Sequence, residues 1–548
     1  RWRDKYPEDR RYDAAFRLPM QRRGLEALPF RAPHFTDALI RSAPAQGGVE
    51  TTSLDLAMQN TLERLLTRFL EECRPMGVKN ASAMLLDTQT MQVRALVGSA
   101  NFFDKAIDGQ VNGMLAKRSP GSTLKPFIYG LALDQSLIHP KSILRDAPTA
   151  FGAFSPENFD GRFVGPITAE EALTRSRNVP AVALSAKLNR PGLYQLLQHA
   201  GVSRLASEQH YGLALALGGG EVTGEELAKL YAMLANGGRL RQISWREREG
   251  QENAPRLLSE EAAYITLDML RQNPRPDTYS PAVPPVAWKT GTSWGYRDAW
   301  TAGVLGKHVL VVWVGNFDGA SNPALVGIRV AAPLFFRMVD GLQAQGLVQR
   351  EKQVLRPAGV SEVEVCAASG ELPNVHCPLR SKTLFIPGKS PIRASTMHRP
   401  VLIDKRTGKA VCTPGKDTEV VVFEFWSSEM RRLFREAGMP RREPPSLPDC
   451  GDGQAAMRQE TEAPRISSPL RGGTYAVRRA KPVPLALRAD VATGAGALYW
   501  FADDAFIGVA KKGEAVAWVP ERAGRYTLRV VDAAGRADAR QVLVEFSE

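Results

Sequence analysis

Two residue types that together make an activated nucleophile stand three positions apart in this sequence. Ser122 and Lys125 lie in the run RSPGSTLKPF, residues 118–127. Pro120-Gly121 indicates a turn, and the apolar residues after it suit a helix, so both side chains are predicted to share one face at a helix N-terminus. A serine hydroxyl attacks well when a neighbouring base takes its proton, and a lysine amine is such a base once burial or a nearby cation keeps it neutral. The spacing therefore favours nucleophilic catalysis.

Two later groups of residues decide between this chemistry and an ordinary helix cap. Ser-x-x-Lys also arises by chance in long chains, where it usually means a capping serine beside a solvated lysine. Here it is followed by Ser176-Arg177-Asn178 and then by Lys289-Thr290-Gly291, which lies in a run typical of a strand. Each fragment is common, but their joint order is hard to obtain by accident, so the combination favours a catalytic site.

The order of these motifs resembles that of the transpeptidase domain of class A penicillin-binding proteins. The family pattern has Asp in the middle of the second motif, whereas this chain has Arg177. The likeness covers about residues 50–345 and includes Leu217–Thr223, Ala235–Gly238, Lys289–Trp300 and Trp313–Asn316. It implies a D-Ala-D-Ala transpeptidase that crosslinks peptidoglycan stem peptides through a serine acyl-enzyme. It also implies that β-lactams acylate and inhibit the protein, and that no metal or organic cofactor is needed.

The resemblance further implies a role for each polar residue of the motifs. Ser122 would attack the penultimate D-Ala carbonyl, and Lys125 would accept its proton. Lys289 would help to keep Lys125 neutral by like-charge repulsion. Ser176 would relay a proton to the leaving amine, while Asn178 would hold Lys125 and the substrate amide.

The strand that carries Lys-Thr-Gly is the implied surface for the substrate. The backbone N–H groups of Ser122 and Thr292 would form an oxyanion hole, and Thr290 and Thr292 would contact the substrate carboxylate. At Gly291 a side chain would keep another backbone, or the substrate, from approaching the strand closely. The strand 288–293 is suited to receive an extended peptide by strand addition.

Other functions of the same serine-lysine core stay open at this point. One is a D-Ala-D-Ala carboxypeptidase or a β-lactamase, although the chain length and the extra domains argue against a dedicated β-lactamase. Another is a penicillin-binding sensor or scaffold that is acylated without turnover. A Ser-His-Asp hydrolase is disfavoured, because the seven histidines lie outside every motif.

The elements that must position these residues follow from hydrophobic periodicity and turn signals. The pattern predicts an amphipathic helix over 54–73, a hairpin of Ala81–Asp87 with Gln92–Val97, and an irregular stretch over 140–166. A helix with a Thr168–Glu171 capping box is predicted to run on until Pro180 interrupts it. A further helix begins at Thr223 and ends at Asn236-Gly237-Gly238, and strands are predicted over 286–293, 299–305 and 308–315.

The fold predicted from these elements and from the resemblance is α/β (α+β), with an antiparallel sheet flanked by helices as in serine transpeptidases and β-lactamases. Residues 51–345 would form this domain, 346–452 a Cys- and Pro-rich connecting module, and 453–548 an immunoglobulin-like β-sandwich. Residues 1–50 would be a linker or the remnant of an upstream glycosyltransferase domain. In the full-length protein a membrane anchor is expected upstream as well.

Cysteine usage and charge complete the expectations. Cys73 lies on the apolar face of the first helix and is predicted to be a buried free thiol. The other four cysteines cluster without a Cys-x-x-Cys pair, which disfavours zinc and favours two local disulfides. Of the three pairings that four cysteines allow, we expect Cys366 with Cys377 and Cys412 with Cys450. Such bridges indicate an oxidising compartment.

The net charge of +13 favours polyanionic surroundings, yet no nucleic-acid-binding module accompanies it. The resemblance implies a periplasmic location, anchored to the inner membrane. The C-terminal domain carries no catalytic motif, so we expect it either to bind the cell wall or a periplasmic protein partner, or to have a purely structural role.

Overall fold

The computed structural model describes residues 2–8, 31–42, 50–152, 154–247, 254–277, 286–349, 355–448, 464–470, 473–478, 483–491, 497–503, 505–511, 513–532 and 537–547. In these residues the α-helices, labelled α1 to α12 in chain order, span Trp2–Lys5, Pro33–Ser42, Leu56–Cys73, Lys125–Asp134, Ala169–Thr174, Asn178–Lys187, Leu193–His199, Glu208–Tyr211, Gly224–Ala235, Glu260–Arg271, Ala332–Ala344 and Ser428–Glu436. No described helix has the length and apolar character needed to cross a lipid bilayer.

The strands of the described residues are labelled β1 to β19. Their bounds are Asn80–Asp87, Val93–Val97, Ile143–Asp146, Gly165–Thr168, Ala287–Thr292, Asp298–Leu305, His308–Gly315, Ser361–Cys366, Arg380–Phe385, His398–Asp404, Thr418–Glu424, Arg465–Ser468, Thr474–Arg478, Leu485–Asp490, Leu498–Ala502, Ala505–Ala510, Val516–Trp518, Gly524–Asp532 and Ala537–Ser547.

An antiparallel five-stranded sheet in the order β2-β1-β7-β6-β5 carries the motif strand at its edge. The predicted hairpins agree with it to within a residue or two, and β6 turns into β7 at Gly306-Lys307. Every residue of β7 is buried. Because side chains alternate along a strand, a strand buried throughout its length must be covered on both faces of the sheet.

The two faces of this sheet belong to two apolar cores. Val309, Val311 and Trp313 of β7 join the core made with α4, α9 and α10. Leu310, Val312 and Val314 join the other core, made with α3 and α11. The predicted class, an antiparallel sheet flanked by helices, is confirmed.

Helix α3 follows the sequence pattern closely. The Asp55 carboxylate caps it by accepting hydrogen bonds from the N–H groups of Ala57 and Met58, at 2.9 and 3.0 Å. Its buried stripe ends at Cys73, a buried free thiol as predicted.

Two local predictions were wrong. The stretch 140–166 is not wholly irregular, because β3 and the start of β4 lie in it and pair with each other. Pro166 lies inside β4, which is tolerated because each strand of a two-stranded sheet has an open edge where a missing N–H costs nothing. Pro180 also does not end a helix: α5 ends at Thr174, and Pro180 lies in the first turn of α6, where its missing N–H has no helical partner to lose.

The connecting region contains more regular structure than its sequence pattern indicates. It forms two hairpins, β8–β9 and β10–β11, followed by α12. Val360 and Ile386 from this region pack into the core that α4 and α9 share. The predicted disulfide between Cys366 and Cys377 is present, with the Cα atoms 6.0 Å apart. Cys412 is disulfide-bonded too, while Cys450, its predicted partner, lies outside the described residues.

The C-terminal strands form a three-stranded sheet, β12-β14-β17, and a five-stranded sheet, β13-β19-β18-β15-β16. Side chains from both sheets share one apolar core, which includes Leu487 and Trp518 from the first and Trp500 and Leu528 from the second. This arrangement agrees with the predicted β-sandwich. The domain boundaries stay predictions.

Candidate active site

Ser122 lies in a 3-10 turn, Gly121–Leu124, that leads directly into α4. Pro126 occupies an early position of α4, where its lack of an N–H is harmless. The predicted location before a helix is therefore confirmed, but the first turn is 3-10 and not α-helical. Residues three apart eclipse each other in such a turn, which brings Lys125 to the side of Ser122.

Three hydrogen bonds from surrounding elements hold the turn that carries Ser122. Tyr231 of α9 donates its hydroxyl to the carbonyl of Thr123 at 3.0 Å, and Trp300 of β6 donates Nε1 to the carbonyl of Ser119 at 3.0 Å. The Ser119 hydroxyl donates to the carbonyl of Gly218 at 2.7 Å. The turn is thus held from a helix, a strand and a loop at once.

Two glycines allow this turn to lie directly against the edge strand β5. A Cβ on Gly121 would clash with the backbone of Thr292, and Gly121 also has a positive φ of 53°. A Cβ on Gly291 would clash with the carbonyl oxygen of Pro120. The close approach expected at Gly291 is therefore made by the turn that carries Ser122.

Lys125 is fully buried and donates to oxygen atoms of the second motif. Its Nζ lies 2.6 Å from the carbonyl of Ser176, 2.6 Å from Asn178 Oδ1 and 3.2 Å from the carbonyl of Arg177. Ser176 Oγ lies 3.5 Å away. Because Ser176 has a positive φ of 59°, its carbonyl and hydroxyl both reach the same amine.

Lys289 approaches Ser176 from the opposite side. It is 1% exposed on β5, and its Nζ donates to Ser176 Oγ at 2.7 Å and to the carbonyl of Thr290 at 3.1 Å. The Ser176 hydroxyl therefore lies between the two lysine amines. The structure thus brings Lys125, Ser176, Asn178 and Lys289 into one hydrogen-bond network.

The remaining predicted residues border this network. Ser122 is half-buried, and no hydrogen bond joins its Oγ to Lys125 Nζ among the described residues. Such contacts often tighten only when substrate is bound. Thr290 and Thr292 are half-buried on β5, and Thr292 Oγ1 accepts from the N–H of Gly327 at 2.9 Å.

Burial and neighbouring charges act on both amines. The pKa of Lys125 is held well below its usual value, first by burial and then by the positive charges of Lys289 and Arg177, while Asp146 opposes the shift. Burial lowers the pKa of Lys289 to about 7. The neutral form of Lys125 is therefore favoured over a wider pH range than that of an exposed lysine.

A layer of polar residues behind the second motif was missed by the sequence analysis. Asp146 and Asp160 pair with Arg177, while Asn158 accepts from the backbone N–H of Asn178 at 2.8 Å. The signal available was the arginine itself, because a buried guanidinium needs acidic partners. Which acids supply them is not visible in the sequence.

One further cluster has the residue types of a metal site. Ligand atoms of Cys366, Cys377 and His398 lie within 4.8 Å of one another. Because the two sulfur atoms are bonded to each other, they are not available as thiolate ligands.

Three family profiles match successive parts of the chain. They are the penicillin binding protein transpeptidase domain at residues 81–334, the C-terminal domain of penicillin-binding protein 1A at 356–400, and the Penicillin-Binding Protein C-terminus Family at 453–545. Each motif residue of the predicted site lies within the first match.

Two penicillin-binding proteins with similar sequences agree with these matches. Penicillin-binding protein 1C of Escherichia coli (strain K12) is 30% identical over 533 residues, which cover 93% of this chain and 66% of that protein. Penicillin-binding protein 1A of Neisseria meningitidis serogroup A is 31% identical over 304 residues, or 50% of this chain and 37% of the relative. The chain thus spans just under two thirds of the first relative and about a third of the second.

A solved structure supports the fold. The crystal structure of penicillin-binding protein 1A from Haemophilus influenzae matches with a TM-score of 0.57 at 19% identity, over 71% of this chain and 81% of that one. The match to the 1C protein extends through the connecting region and the C-terminal sandwich as well. The chain therefore belongs to the penicillin-binding proteins and carries their transpeptidase domain.

Proposed function

We propose that this protein is a serine D-Ala-D-Ala transpeptidase that crosslinks peptidoglycan stem peptides and is acylated by β-lactams. The observation that supports this most strongly is the buried network of Lys125, Ser176, Asn178 and Lys289 beside the Ser122 turn. A neutral lysine amine, a bridging hydroxyl and an edge strand together suit acyl transfer to a serine.

Acylation begins when Ser122 Oγ attacks the carbonyl carbon of the penultimate D-Ala and gives its proton to Lys125. A neutral amine has two hydrogens, which fit the two 2.6 Å contacts to the Ser176 carbonyl and to Asn178 Oδ1. It cannot donate to the Arg177 carbonyl at 3.2 Å as well, and its lone pair takes the incoming proton. The Ser176 hydroxyl, within reach of both lysines, then passes its proton to the departing amine of the terminal D-Ala and takes a proton from the protonated Lys125, which becomes neutral again.

The oxyanion and the peptide are held by backbone groups. The close packing of the Ser122 turn on β5 supports an oxyanion hole built from the N–H groups of Ser122 and Thr292. Because β5 is the edge of its sheet, an extended stem peptide can add to it as a further strand. Thr290 and Thr292 contact the substrate carboxylate, and Gly291 keeps this surface open to the turn.

The acyl-enzyme is resolved by an amine from a neighbouring stem peptide. That amine attacks the ester carbonyl and gives a proton to the neutral Lys125; the bond to Ser122 Oγ breaks, and Ser122 Oγ takes that proton from Lys125 to regenerate the hydroxyl. A β-lactam presents its strained amide in the same place, so it forms an ester with Ser122 while the amine that leaves stays tethered. The two half-reactions predict ping-pong kinetics.

A labelling experiment tests the nucleophile. The protein and its Ser122→Ala variant are incubated with fluorescent penicillin, and the labelled peptide is mapped by mass spectrometry. We expect a stable mass increase on the peptide that contains Ser122 and none in the variant. Labelling elsewhere, or equal labelling of a folded Ser122→Ala variant, would overturn the proposal.

A second experiment separates crosslinking from hydrolysis. The protein is given a glycan donor with stem peptides ending in D-Ala-D-Ala and an acceptor with a free amine, and the products are resolved by chromatography. Crosslinked dimers are the expected product. Release of D-Ala without dimers would identify a carboxypeptidase, and labelling without any turnover would identify a sensor or scaffold.

The same proposal places the protein in the periplasm, where its substrate lies, with an inner-membrane anchor in the full-length protein. The oxidised Cys366–Cys377 pair agrees with that compartment. A cell-wall or periplasmic protein partner for the C-terminal sandwich remains a prediction.

A further inference from the structure

Arg177, the middle residue of the second motif, is a buried cation whose contacts differ from those of its two neighbours. It is 5% exposed, and only its carbonyl contacts Lys125. Its guanidinium points away from that amine, donating from Nε to Asp146 at 2.8 Å and from Nη1 to Asp160 at 2.9 Å. A third donor, Nη2, bonds the carbonyl of Arg162. The guanidinium therefore holds the second motif from the side that faces away from Lys125.

Asp146 is the fixed end of this anchor. It lies at the end of β3 with no exposed surface. Besides Arg177, it accepts hydrogen bonds from Asn158 Nδ2 at 2.7 Å and from the N–H of Val164 at 3.0 Å. A carboxylate held by three donors in a buried site has little freedom to move.

The loop between β3 and β4 also holds Asn178 by hydrogen bonds. Asn158 Oδ1 accepts from the N–H of Asn178 at 2.8 Å, and the carbonyl of Glu157 accepts from Asn178 Nδ2 at 2.6 Å. Asp146, Asn158 and Arg177 therefore form one connected support for the segment that binds Lys125. Loss of the guanidinium would release that support at its centre.

We propose that Arg177 is a positioning residue of the acyl-transfer site, which with Asp146 fixes the Ser176–Asn178 segment on Lys125 and adjusts the charge around that amine. The inference rests on the proposed function, because it assigns Lys125 the part of proton acceptor. It explains why a cation occupies the middle of this motif in the present chain.

The charges that face Lys125 make the proposal testable. They are Lys289 from β5, Arg177 ahead of α6 and Asp146 from β3; Asp160 faces Arg177 from the far side. Arg177 and Lys289 lower the pKa of Lys125, whereas Asp146 raises it. Removing either partner of the Arg177–Asp146 pair breaks the same salt bridge but changes the pKa of Lys125 in opposite directions.

The experiment measures the acylation rate constant with fluorescent penicillin as a function of pH. Protonation of Lys125 gives the profile its acid limb. We expect Arg177→Gln to move that limb to higher pH and Asp146→Asn to move it to lower pH. A merely structural salt bridge predicts a lower rate in both variants with no such opposite displacement.

Two further variants separate positioning from charge. Arg177→Lys keeps the charge but loses the fork that spans two aspartates, so we expect an unmoved acid limb and a plateau rate about 10- to 100-fold lower. Arg275→Gln is the matched control, because Arg275 also pairs with two aspartates, Asp277 and Asp340, but outside the Lys125 network. Its profile should match the wild type.

The outcomes are distinguishable from a failure of the proposed function. If Ser122→Ala is still labelled, the nucleophile is wrong, and the inference about Arg177 is overturned together with the proposed function. If wild type is labelled on Ser122 but both limbs move the same way, or neither moves, the inference about Arg177 is overturned. Should Arg177→Gln not fold, as judged by circular dichroism, Asp146→Asn and Arg177→Lys still decide the question.

Discussion

The surroundings of Lys125 and the core of the C-terminal sandwich are both buried, but they are built from opposite materials. Around Lys125, charged and polar side chains such as Asp146, Arg177 and Lys289 are at most 5% exposed. In the sandwich the shared core consists of apolar side chains from two sheets. The first depends on hydrogen-bond partners, and the second on the removal of apolar surface from water.

Burial therefore serves two purposes in this protein. In the sandwich it lowers the free energy of the folded state. Around Lys125 it keeps an amine neutral, which lowers stability at neutral pH, since the unfolded chain binds a proton that the folded chain does not. Between the depressed folded pKa of Lys125 and the unfolded value of about 10.4, stability therefore rises with pH. Substitutions should thus separate activity from stability.

The largest effect is expected from Lys125→Met. Loss of the base should lower the penicillin acylation rate by about 10²- to 10⁴-fold. Because the buried amine that takes up a proton on unfolding is gone, the free energy of unfolding should become less dependent on pH. Urea titrations at several pH values, beside the acylation assay, check both parts; a pH dependence of stability equal to that of the wild type would contradict the depressed pKa of Lys125.

Leu528→Ala tests the apolar region. Leu528 is fully buried in β18, so its truncation should destabilise the sandwich by about 2–5 kcal/mol. The acylation rate of Ser122 should not change, because no residue of the Lys125 network belongs to that core. Denaturant unfolding monitored by tryptophan fluorescence gives the first quantity, and fluorescent penicillin the second. A large drop in acylation would mean that the sandwich supports the site directly.

The pH dependence of the acylation rate should also distinguish the surroundings of Lys125 from the sandwich core. Below the pKa of Lys125 the rate should fall about tenfold per pH unit, since only the neutral amine takes the proton of Ser122. Replacing Lys289 by Gln removes a cation that lowers the pKa of Lys125, so the acid limb should move to higher pH. The plateau rate should fall as well. Leu528→Ala should leave the limb where it is, which makes it the control for general destabilisation.

The smallest effect is expected at the N-terminus of α9, the helix whose Tyr231 contacts the Ser122 turn. Thr223 and Glu226 form a capping box at the start of α9, with hydrogen bonds of 3.0 and 2.8 Å. Thr223→Ala should cost about 1 kcal/mol of stability and leave the acid limb unchanged. Thermal unfolding measures the first; a displaced limb would show that α9 transmits strain to the Ser122 turn through Tyr231.

Local features of the fold were predictable because their causes are local. The helix that ends at Cys73, the capping box at Thr223 and the hairpins of the central sheet all follow from periodicity, capping residues and turns within a few positions. The β3–β4 hairpin was missed because its strands are four residues long and one of them contains Pro166. The hairpins of the connecting region, β8–β9 and β10–β11, were missed as well, although exposure alternates along the first four residues of β8.

The residue types available for acyl transfer, and their order along the chain, follow from the amino-acid sequence alone. The contacts of Ser176 with Lys125, 51 positions away, and with Lys289, 113 positions away, exist only in the folded protein. Folding also pairs Asp146 with Arg177 and buries Lys125 deeply enough to lower its pKa. Distance, burial and the choice of charged partners arise from long-range packing, which spacing along the chain does not encode.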